Sequence, residues 1–195
     1  MDPDRRRFAA ELYAESHAHD VELEDRLDRF RNLEPPTAEL LGILIRARGA
    51  LRILELGTSN GYSTIWLADA SAATDGGVVS VDIDPLRIEL ARENLGAAGL
   101  DSRVELRAQD AGEALVQSPE SWWDFVFLDA ERSAYAGYVP DLVRALAPRG
   151  LLAVDNVRSH EHELVEFTAL IEAREELTQT VIPVGAGLRL AVRGP

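Results

Sequence analysis

Three oxygen-bearing side chains follow two short apolar runs of the sequence. Asp129 comes directly after residues 125–128, and Asp155 and Asn156 come directly after residues 151–154. In an open parallel sheet the carboxyl ends of neighbouring strands converge, so these side chains would lie together. Carboxylate and amide oxygens are the ligands that suit a hard cation such as Mg²⁺. The pattern predicts a divalent metal site; the alternative is that each acid only caps the helix that follows it.

A glycine-rich turn is the second feature that could take part in chemistry. Residues 57–61 read Gly-Thr-Ser-Asn-Gly after an apolar run, and Glu55 stands two residues before the first glycine. Such a turn between a strand and a helix lets backbone N–H groups approach a ligand. Asp82 ends the next apolar run about 20 residues further on, where doubly wound folds bind a ribose. A nucleoside ligand is predicted; the alternative is that the two glycines only make a tight turn.

These side chains need a sheet to position them, and the sequence from residue 51 onward alternates short apolar runs with helical stretches. Strands are predicted over residues 51–56, 78–81, 104–107, 125–128 and 151–154. Helices are predicted between them over residues 63–70, 85–98, 112–117 and 138–147. Short apolar strands that alternate with helices are typical of a parallel sheet covered on both faces.

The last part of the chain has a different pattern. A helix is predicted over residues 161–173, followed by strands over residues 180–184 and 188–192. Only Gly185-Ala186-Gly187 separates these two strands, so they should pair as an antiparallel hairpin at the sheet edge.

The N-terminal part, residues 1–36, is predicted to form a helical extension to a core of residues 37–195 within one domain. Its apolar residues fall in two groups at helical spacing, namely Phe8 and Leu12, then Leu23, Leu27 and Phe30. Two prolines after Glu34 end this region. Thr37 is predicted to cap the next helix, which Gly49 closes.

The composition excludes several classes of function. The chain has 195 residues with 20 positive side chains against 34 acids, a formal net charge of −14, and every positive side chain is arginine. Nucleic acids and anionic membranes require basic surfaces, so neither is expected as a partner. The absence of cysteine excludes disulfides and thiolate metal sites. No apolar stretch approaches the roughly 20 residues of a membrane span, and a cytoplasmic protein is expected.

The glycine turn resembles a known motif. The segment Glu55-Leu56-Gly57-x-x-x-Gly61-Tyr62-Ser63 is similar to the first motif of class I S-adenosylmethionine-dependent methyltransferases, in the form used by catechol and caffeoyl-CoA O-methyltransferases. The resemblance extends over about residues 33–192. It implies a Rossmann-like α/β fold with a seven-stranded, mostly parallel sheet and an antiparallel C-terminal hairpin. It also implies a homodimer.

The same resemblance implies which residues bind cofactor and metal. Asp129, Asp155 and Asn156 match the family's ligands for Mg²⁺ or a similar divalent cation. Asp82 matches the acceptor of both ribose hydroxyls, a task that suits a carboxylate because it only accepts hydrogen bonds. The residues expected to bind S-adenosylmethionine are Glu55, Gly57, Thr58, Ser59, Gly61, Ser63, Asp82, Ile83, Gln109, Asp110, Ala111 and Asp129.

One position departs from the family pattern. In the resembling enzymes a lysine three residues after the fourth-strand aspartate takes the substrate proton, whereas this chain has Arg132 there. Arginine cannot act as a base near neutral pH. Three interpretations of Arg132 are open. It replaces the lysine while metal and solvent take the substrate proton, or it anchors an oxyanion or an acidic acceptor through charge-assisted hydrogen bonds. In the third interpretation, the protein has another activity. We favour charge stabilisation, which makes Arg132 and Asp129 the expected catalytic residues. His160 is interpreted as a solvated loop residue rather than a base.

The function expected from these residues is metal-assisted transfer of a methyl group from S-adenosylmethionine to the hydroxyl of a small catechol-like or phenolic acceptor. A bound cation would lower the pKa of that hydroxyl, as it does for bound water. Two alternatives stay open: a metal-independent methyltransferase of the same fold with another small oxygen or nitrogen acceptor, and a non-catalytic S-adenosylmethionine-binding module. A nicotinamide dehydrogenase is disfavoured because the turn lacks the G-x-G-x-x-G spacing.

Overall fold

The computed structural model of this chain describes residues 1–25 and 28–195 and, within them, a seven-stranded sheet. The strands in chain order are β1 (Arg52–Leu56), β2 (Gly77–Asp82), β3 (Val104–Ala108), β4 (Trp123–Leu128), β5 (Leu146–Val154), β6 (Leu177–Ile182) and β7 (Leu188–Arg193). Their order across the sheet is β3-β2-β1-β4-β5-β7-β6. The first five strands pair in parallel, and β7 is antiparallel to both β5 and β6. The predicted parallel sheet with an antiparallel hairpin at its edge is confirmed.

Helices cover both faces of this sheet. They are α1 (Pro3–Glu22), α2 (Pro35–Arg48), α3 (Tyr62–Ala72), α4 (Pro85–Ala97), α5 (Ala111–Gln117), α6 (Tyr135–Ala145) and α7 (Val165–Glu172). Short 3₁₀ turns occur at Asp101–Arg103, Arg132–Ala134 and Glu161–Glu163. Among the described residues, none of the helices has the length and apolar content that crossing a bilayer requires.

The hydrophobic core has two layers because successive residues of a strand point to opposite faces of the sheet. Phe125 and Phe127 of β4 pack on the face covered by α1 to α4, whereas Val126 and Leu128 pack on the face covered by α5 to α7. All four side chains are fully buried. A strand that is buried on both faces needs apolar residues at consecutive positions. The apolar run at residues 125–128 therefore predicted β4 correctly.

Some predicted boundaries were wrong. β5 begins at Leu146, and α6 begins at Tyr135 and ends at Ala145, whereas a helix was predicted over residues 138–147. Pro148 interrupts the apolar pattern of β5, and Arg149 has a φ of 62° where the pairing register between β4 and β5 shifts. The start of β5 could not be predicted from the apolar pattern, because a proline and a polar residue normally mark the end of a strand.

Among the described residues of the N-terminal part, the helical ones are those of α1 and the first two residues of α2. α1 begins after Asp2, whose carboxylate accepts the Asp4 N–H at 2.9 Å, and it ends at Glu22. The helix predicted from the spacing of Leu23 and Phe30 is not formed by residues 23–25 or 28–34, and Leu27 lies outside the described residues. Phe30 instead reaches the cavity described below.

The start of α2 also differs from the prediction. Glu34 is the N-cap residue, and Pro35 and Pro36 occupy the first helical positions, where a missing N–H is tolerated. Thr37 is therefore inside the helix and does not cap it; its buried hydroxyl has no hydrogen-bond partner among the described residues. Gly49 closes α2 with a φ of 65°, as predicted.

Candidate active site

A cavity of about 690 Å³ opens where the carboxyl ends of β1, β2, β4 and β5 meet. This edge of a doubly wound sheet is where ligands normally bind. The cavity brings together most of the residues that the sequence singled out: Gly57, Ser59, Ser63, Asp82, Ile83, Gln109, Asp110, Ala111, Asp129, Arg132, Asp155 and Asn156. Three of the predicted cofactor residues do not line it, namely Glu55, Thr58 and Gly61.

The glycine turn lies tightly against its neighbours. Gly57 has a φ of 103°, and a Cβ on it would collide with the backbone carbonyl of Asp129. Gly61 has a φ of 84° and precedes α3, and a Cβ there would lie 3.0 Å from the Cβ of Ala91. Both positions require glycine, because other residues are strained at positive φ and neither site has room for a side chain. The turn is thereby held close enough to the cavity to present its backbone.

Glu55 lies beneath this turn. Its side chain is fully buried and accepts hydrogen bonds from the hydroxyls of Ser63 and Ser80, each at 2.6 Å, and from Thr64. Burial raises the pKa of Glu55 to about 7, while the three hydroxyl donors oppose that shift. These contacts tie β1 to the first turn of α3 and to β2, so Glu55 supports the turn from below.

Asp82 holds the same turn from the side. One carboxylate oxygen accepts the backbone N–H groups of Thr58 at 3.1 Å and Ser59 at 2.8 Å, and the other accepts that of Asp84 at 3.1 Å. Thr58 itself is buried, with its hydroxyl 2.6 Å from Ser80. Three backbone donors use most of the four lone-pair positions of a carboxylate, so Asp82 both shapes the turn and keeps limited accepting capacity toward the cavity.

The acid residues after β4 and β5 do come together. The Asn156 Nδ2 group donates to Asp129 Oδ1 at 3.0 Å and to Asp155 Oδ2 at 3.2 Å. Asp155 is buried and Asp129 is partly buried, and Asp155 Oδ1 has no hydrogen-bond partner among the described residues. Burial raises the pKa of Asp129, and burial together with the neighbouring charge of Asp129 raises that of Asp155.

The chemistry of this donor set fits a hard cation. Two adjacent carboxylates repel each other, and an orphaned carboxylate oxygen lacks the partner that buried polar atoms normally have. A divalent cation would relieve both costs. No group of three or more His, Cys, Asp or Glu that could hold a metal occurs among residues 1–25 and 28–195, so a cation bound here would need the amide oxygen of Asn156 as a third ligand.

Arg132 borders the acid pair in the same cavity. Only 5% of its surface is exposed, and its Nε donates to Glu163 Oε2 at 2.8 Å. Its Nη2 is buried and has no hydrogen-bond partner among the described residues. The positive charge of Arg132 also opposes the pKa increase of Asp129. The residue that departs from the family pattern therefore adds a buried positive charge to the cavity wall beside the acid pair.

A segment that sequence reasoning did not assign to the site, the strap (residues 28–34), closes one side of the cavity. The Asp20 carboxylate accepts the Phe30 N–H at 2.7 Å, and the Ser59 hydroxyl donates to the Phe30 carbonyl at 2.9 Å. Arg87 donates to Ser59 Oγ at 2.9 Å and to the Arg29 carbonyl at 3.0 Å. The strap is thus joined to the glycine turn by side chains far apart in the sequence.

Two further residues, which the sequence analysis did not assign to the site, line the cavity. Tyr138 lines the cavity, and its ring lies so close to Gly112 that a Cβ there would be 2.9 Å from it. His160 was interpreted as a solvated loop residue but also lines the cavity, with Nδ1 2.8 Å from the Ser159 hydroxyl. The signal for Tyr138 was its place at the start of a predicted helix that faces the sheet; for His160 it was the short distance in sequence from Asn156.

Comparisons with known proteins agree with this geometry. A family model described as O-methyltransferase matches residues 30–194, which include every residue that lines the cavity. A putative O-methyltransferase from Mycolicibacterium paratuberculosis is 32% identical over 172 residues, covering 82% of this chain and 77% of that protein. A catechol O-methyltransferase from Niastella koreensis is 35% identical over 129 residues, covering 65% of this chain and 58% of that protein. The solved structure of an O-methyltransferase from Bacillus cereus in complex with SAH has a TM-score of 0.80 and 28% identity, covering 95% of this chain and 90% of that one.

Proposed function

The chain belongs to the O-methyltransferase family, and on that premise we propose that it transfers the methyl group of S-adenosylmethionine to a hydroxyl of a small catechol-like or phenolic acceptor with the help of a divalent cation. One observation carries this proposal: the glycine turn and the acid pair form adjoining walls of one cavity, in contact through Gly57 and the Asp129 carbonyl. A methyl donor and an acceptor bound on these walls would meet where the walls join. Holding both reactants in this way makes a bimolecular reaction effectively unimolecular.

The cofactor wall consists of the ends of β1, β2 and β3. S-adenosylmethionine, when bound, supplies a methyl group activated by a sulfonium sulfur. Gly57 and Ser59 of the turn line this wall, Asp82 keeps accepting capacity for a ribose hydroxyl, and residues 109–111 lie where an adenine ring would follow. Tyr138 offers an aromatic edge to the same part of the cavity.

The acceptor wall consists of the ends of β4 and β5. Asp129, Asp155 and Asn156 would hold the cation, and the orphaned oxygen of Asp155 supports this assignment. A divalent cation supplies positive charge that lowers the pKa of a nearby hydroxyl and orients two vicinal oxygens. Arg132 adds a buried donor on this wall that favours negative charge on the acceptor oxygen.

A methyl-transfer screen tests the proposal. Purified protein is incubated with S-adenosylmethionine and a panel of catechols and phenolic acids, with Mg²⁺ or with EDTA, and the formation of S-adenosylhomocysteine and methylated product is measured. We expect transfer to at least one catechol in the presence of Mg²⁺ and a fall to background with EDTA. Transfer that EDTA leaves unchanged would indicate the metal-independent alternative. Binding of S-adenosylmethionine without transfer to any acceptor would indicate a non-catalytic module.

A further inference from the structure

The Arg132 side chain carries a buried hydrogen-bond donor that has no partner among the described residues. It is nearly fully buried in the cavity wall, and its Nη2 group has no partner among the described residues. A guanidinium can donate hydrogen bonds but cannot take a proton near neutral pH. Its strongest partners are oxygen anions, because charge-assisted hydrogen bonds exceed neutral ones in strength.

We infer that the acceptor reacts as an oxyanion whose proton has gone to water rather than to the protein, so that this enzyme selects hydroxyls that are acidic enough to ionise near its working pH. The inference rests on the proposed function and deepens it, since it defines the class of acceptor. Acidic catechols and phenols with electron-withdrawing substituents fit this class, whereas simple alcohols do not.

Glu163 is the positioning residue in this arrangement. It projects from the turn Glu161–Glu163, and its Oε2 accepts the Arg132 Nε–H at 2.8 Å. The Glu163 side chain is 30% exposed and that of Arg132 only 5%, so the carboxylate binds the guanidinium from its more solvent-exposed side. Held at Nε, the planar guanidinium has a fixed orientation, and its buried Nη2 is the donor left without a partner among the described residues; an acceptor oxygen entering this wall would satisfy it.

The groups that could take the acceptor's proton in place of water are the other titratable groups near Arg132. Asp129 and Asp155 face it from the ends of β4 and β5, and both are engaged with Asn156. Tyr135 donates its hydroxyl to the Ala130 carbonyl at 3.2 Å, and burial raises its pKa well above the ordinary value. His160 lines the same cavity and is the protein base whose participation would contradict the inference.

The chemical step balances without a protein base. The acceptor oxyanion attacks the methyl carbon, a bond forms between oxygen and carbon, and the bond between that carbon and sulfur breaks. The electron pair of the broken bond goes to sulfur, which becomes the neutral thioether of S-adenosylhomocysteine. The proton was released to water when the acceptor ionised.

The pH dependence of kcat/KM distinguishes a released proton from one kept by the protein. This ratio reports the ionisations of the free enzyme and free acceptor. It is measured at saturating Mg²⁺ for catechol and for a nitrocatechol, whose hydroxyl ionises at much lower pH. We expect kcat/KM to level off at a lower pH for the nitrocatechol than for catechol, because the levelling pH follows the ionisation of each acceptor. A common pH for both acceptors would show that a protein group takes the proton and would overturn the inference.

The substitution Arg132→Lys supplies the missing base in the same place. Its profile is expected to level off at one pH for both acceptors, set by the lysine amine, while Arg92→Lys on the exposed face of α4 keeps the wild-type behaviour. Glu163→Gln should raise KM for the nitrocatechol about tenfold with little change in kcat, and Glu163→Asp should partly restore it. A wild-type profile in Arg132→Lys would contradict the assigned role of Arg132.

A binding experiment on the wild-type protein gives an independent answer if a variant does not fold. Nitrocatechol changes colour when it ionises, so its spectrum with the Mg²⁺-loaded protein, without S-adenosylmethionine, shows its state directly. Below the pH at which the free compound ionises, we expect the anion spectrum and the release of a proton into a weakly buffered solution. A neutral spectrum, or an anion spectrum without proton release, would overturn the inference. If the protein binds nitrocatechol in this way but transfers no methyl group to any acceptor, the proposed function fails and the inference fails with it.

Discussion

The α-carbon of Gly57 lies directly against the backbone carbonyl of Asp129. β1 and β4 end side by side here, and the Asp129 N–H donates to the Leu56 carbonyl at 2.9 Å. The turn that would hold the methyl donor and the strand end that would hold the acceptor therefore share one backbone contact. Neither can move away from the other without disturbing the centre of the sheet.

This contact makes Gly57→Ala a severe change. A Cβ would collide with the Asp129 carbonyl and would also be strained at a φ of 103°. We expect a loss of about 3 kcal/mol in the free energy of unfolding, measured by urea denaturation. Gly49→Ala is the matched control, because Gly49 has a φ of 65° with open space around it, and it should cost only about 1 kcal/mol. Equal losses in the two variants would show that the steric contact does not matter.

Asp82→Asn should weaken the binding of S-adenosylmethionine. The amide has one accepting oxygen instead of two, and three backbone N–H groups already depend on this side chain. Loss of one charge-assisted hydrogen bond corresponds to about 2 kcal/mol, or roughly 30-fold in Kd by calorimetric titration. The exposed Asp101→Asn serves as control. An affinity within about twofold of wild type in Asp82→Asn would argue against a role for Asp82 in the site.

Glu55 should make the stability of the protein depend on pH in an unusual direction. Burial raises its pKa from an ordinary value of 4.5 to about 7, so the folded state binds a proton that the unfolded state has lost between these values. The free energy of unfolding therefore receives a contribution that falls as pH rises through this window. Below pH 4.5 both states are protonated, and above pH 7 a constant penalty of about 3 kcal/mol remains.

Glu55→Gln isolates that contribution. The difference between variant and wild type in the free energy of unfolding, followed by urea titration, should grow in favour of the variant by about 3 kcal/mol from pH 4.5 to pH 8. The effects of titrating groups that do not interact with Glu55 cancel in this difference, whereas Asp129, whose charge acts on Glu55, contributes a smaller part. A difference that stays constant with pH would mean that Glu55 does not change its protonation state on folding.

Asp155→Asn should stabilise the metal-free protein and remove its response to Mg²⁺. The buried carboxylate of Asp155 is disfavoured both by burial and by Asp129, so a neutral amide of similar shape costs less. Each kcal/mol gained corresponds to about 2–4 °C in Tm for a chain of this size. Mg²⁺ should raise the Tm of wild type, because binding to the folded state stabilises it, but not that of the variant. An equal Mg²⁺ effect on both proteins would place the cation elsewhere; the exposed Asp75→Asn controls for the loss of a charge.

The parts of the site that could be predicted are those that depend on neighbouring residues in the chain. A buried strand, the turn after it and the acid at its end lie within a few residues of one another, so the local pattern singled out Gly57, Asp82 and Asp129, and the family resemblance gave them their expected roles. The convergence of Asp129 with Asp155 followed from a general property of parallel sheets, not from their spacing.

The strap could not be predicted because its structure depends on distant partners. The helical spacing of Leu23 and Phe30 suggested a helix, but Phe30 is held by Asp20 and by the Ser59 hydroxyl in a non-helical segment. Likewise, the fixed orientation of Arg132 depends on Glu163, 31 positions away in the chain. Hydrogen bonds of this kind leave no periodic signal, and competing tertiary contacts override local propensity.

The strand order β3-β2-β1-β4-β5-β7-β6 divides the site along the seam between β1 and β4. Residues proposed for the cofactor come mainly from β1, β2 and β3 on one side, and those proposed for metal and acceptor come from β4 and β5 on the other. Substitutions in the loops after β4 and β5 can therefore alter which compound is methylated while the methyl donor's half is left intact. On the proposed assignment, acceptor preference could be engineered, or could diverge in evolution, through the β4 and β5 loops without changes to the cofactor wall.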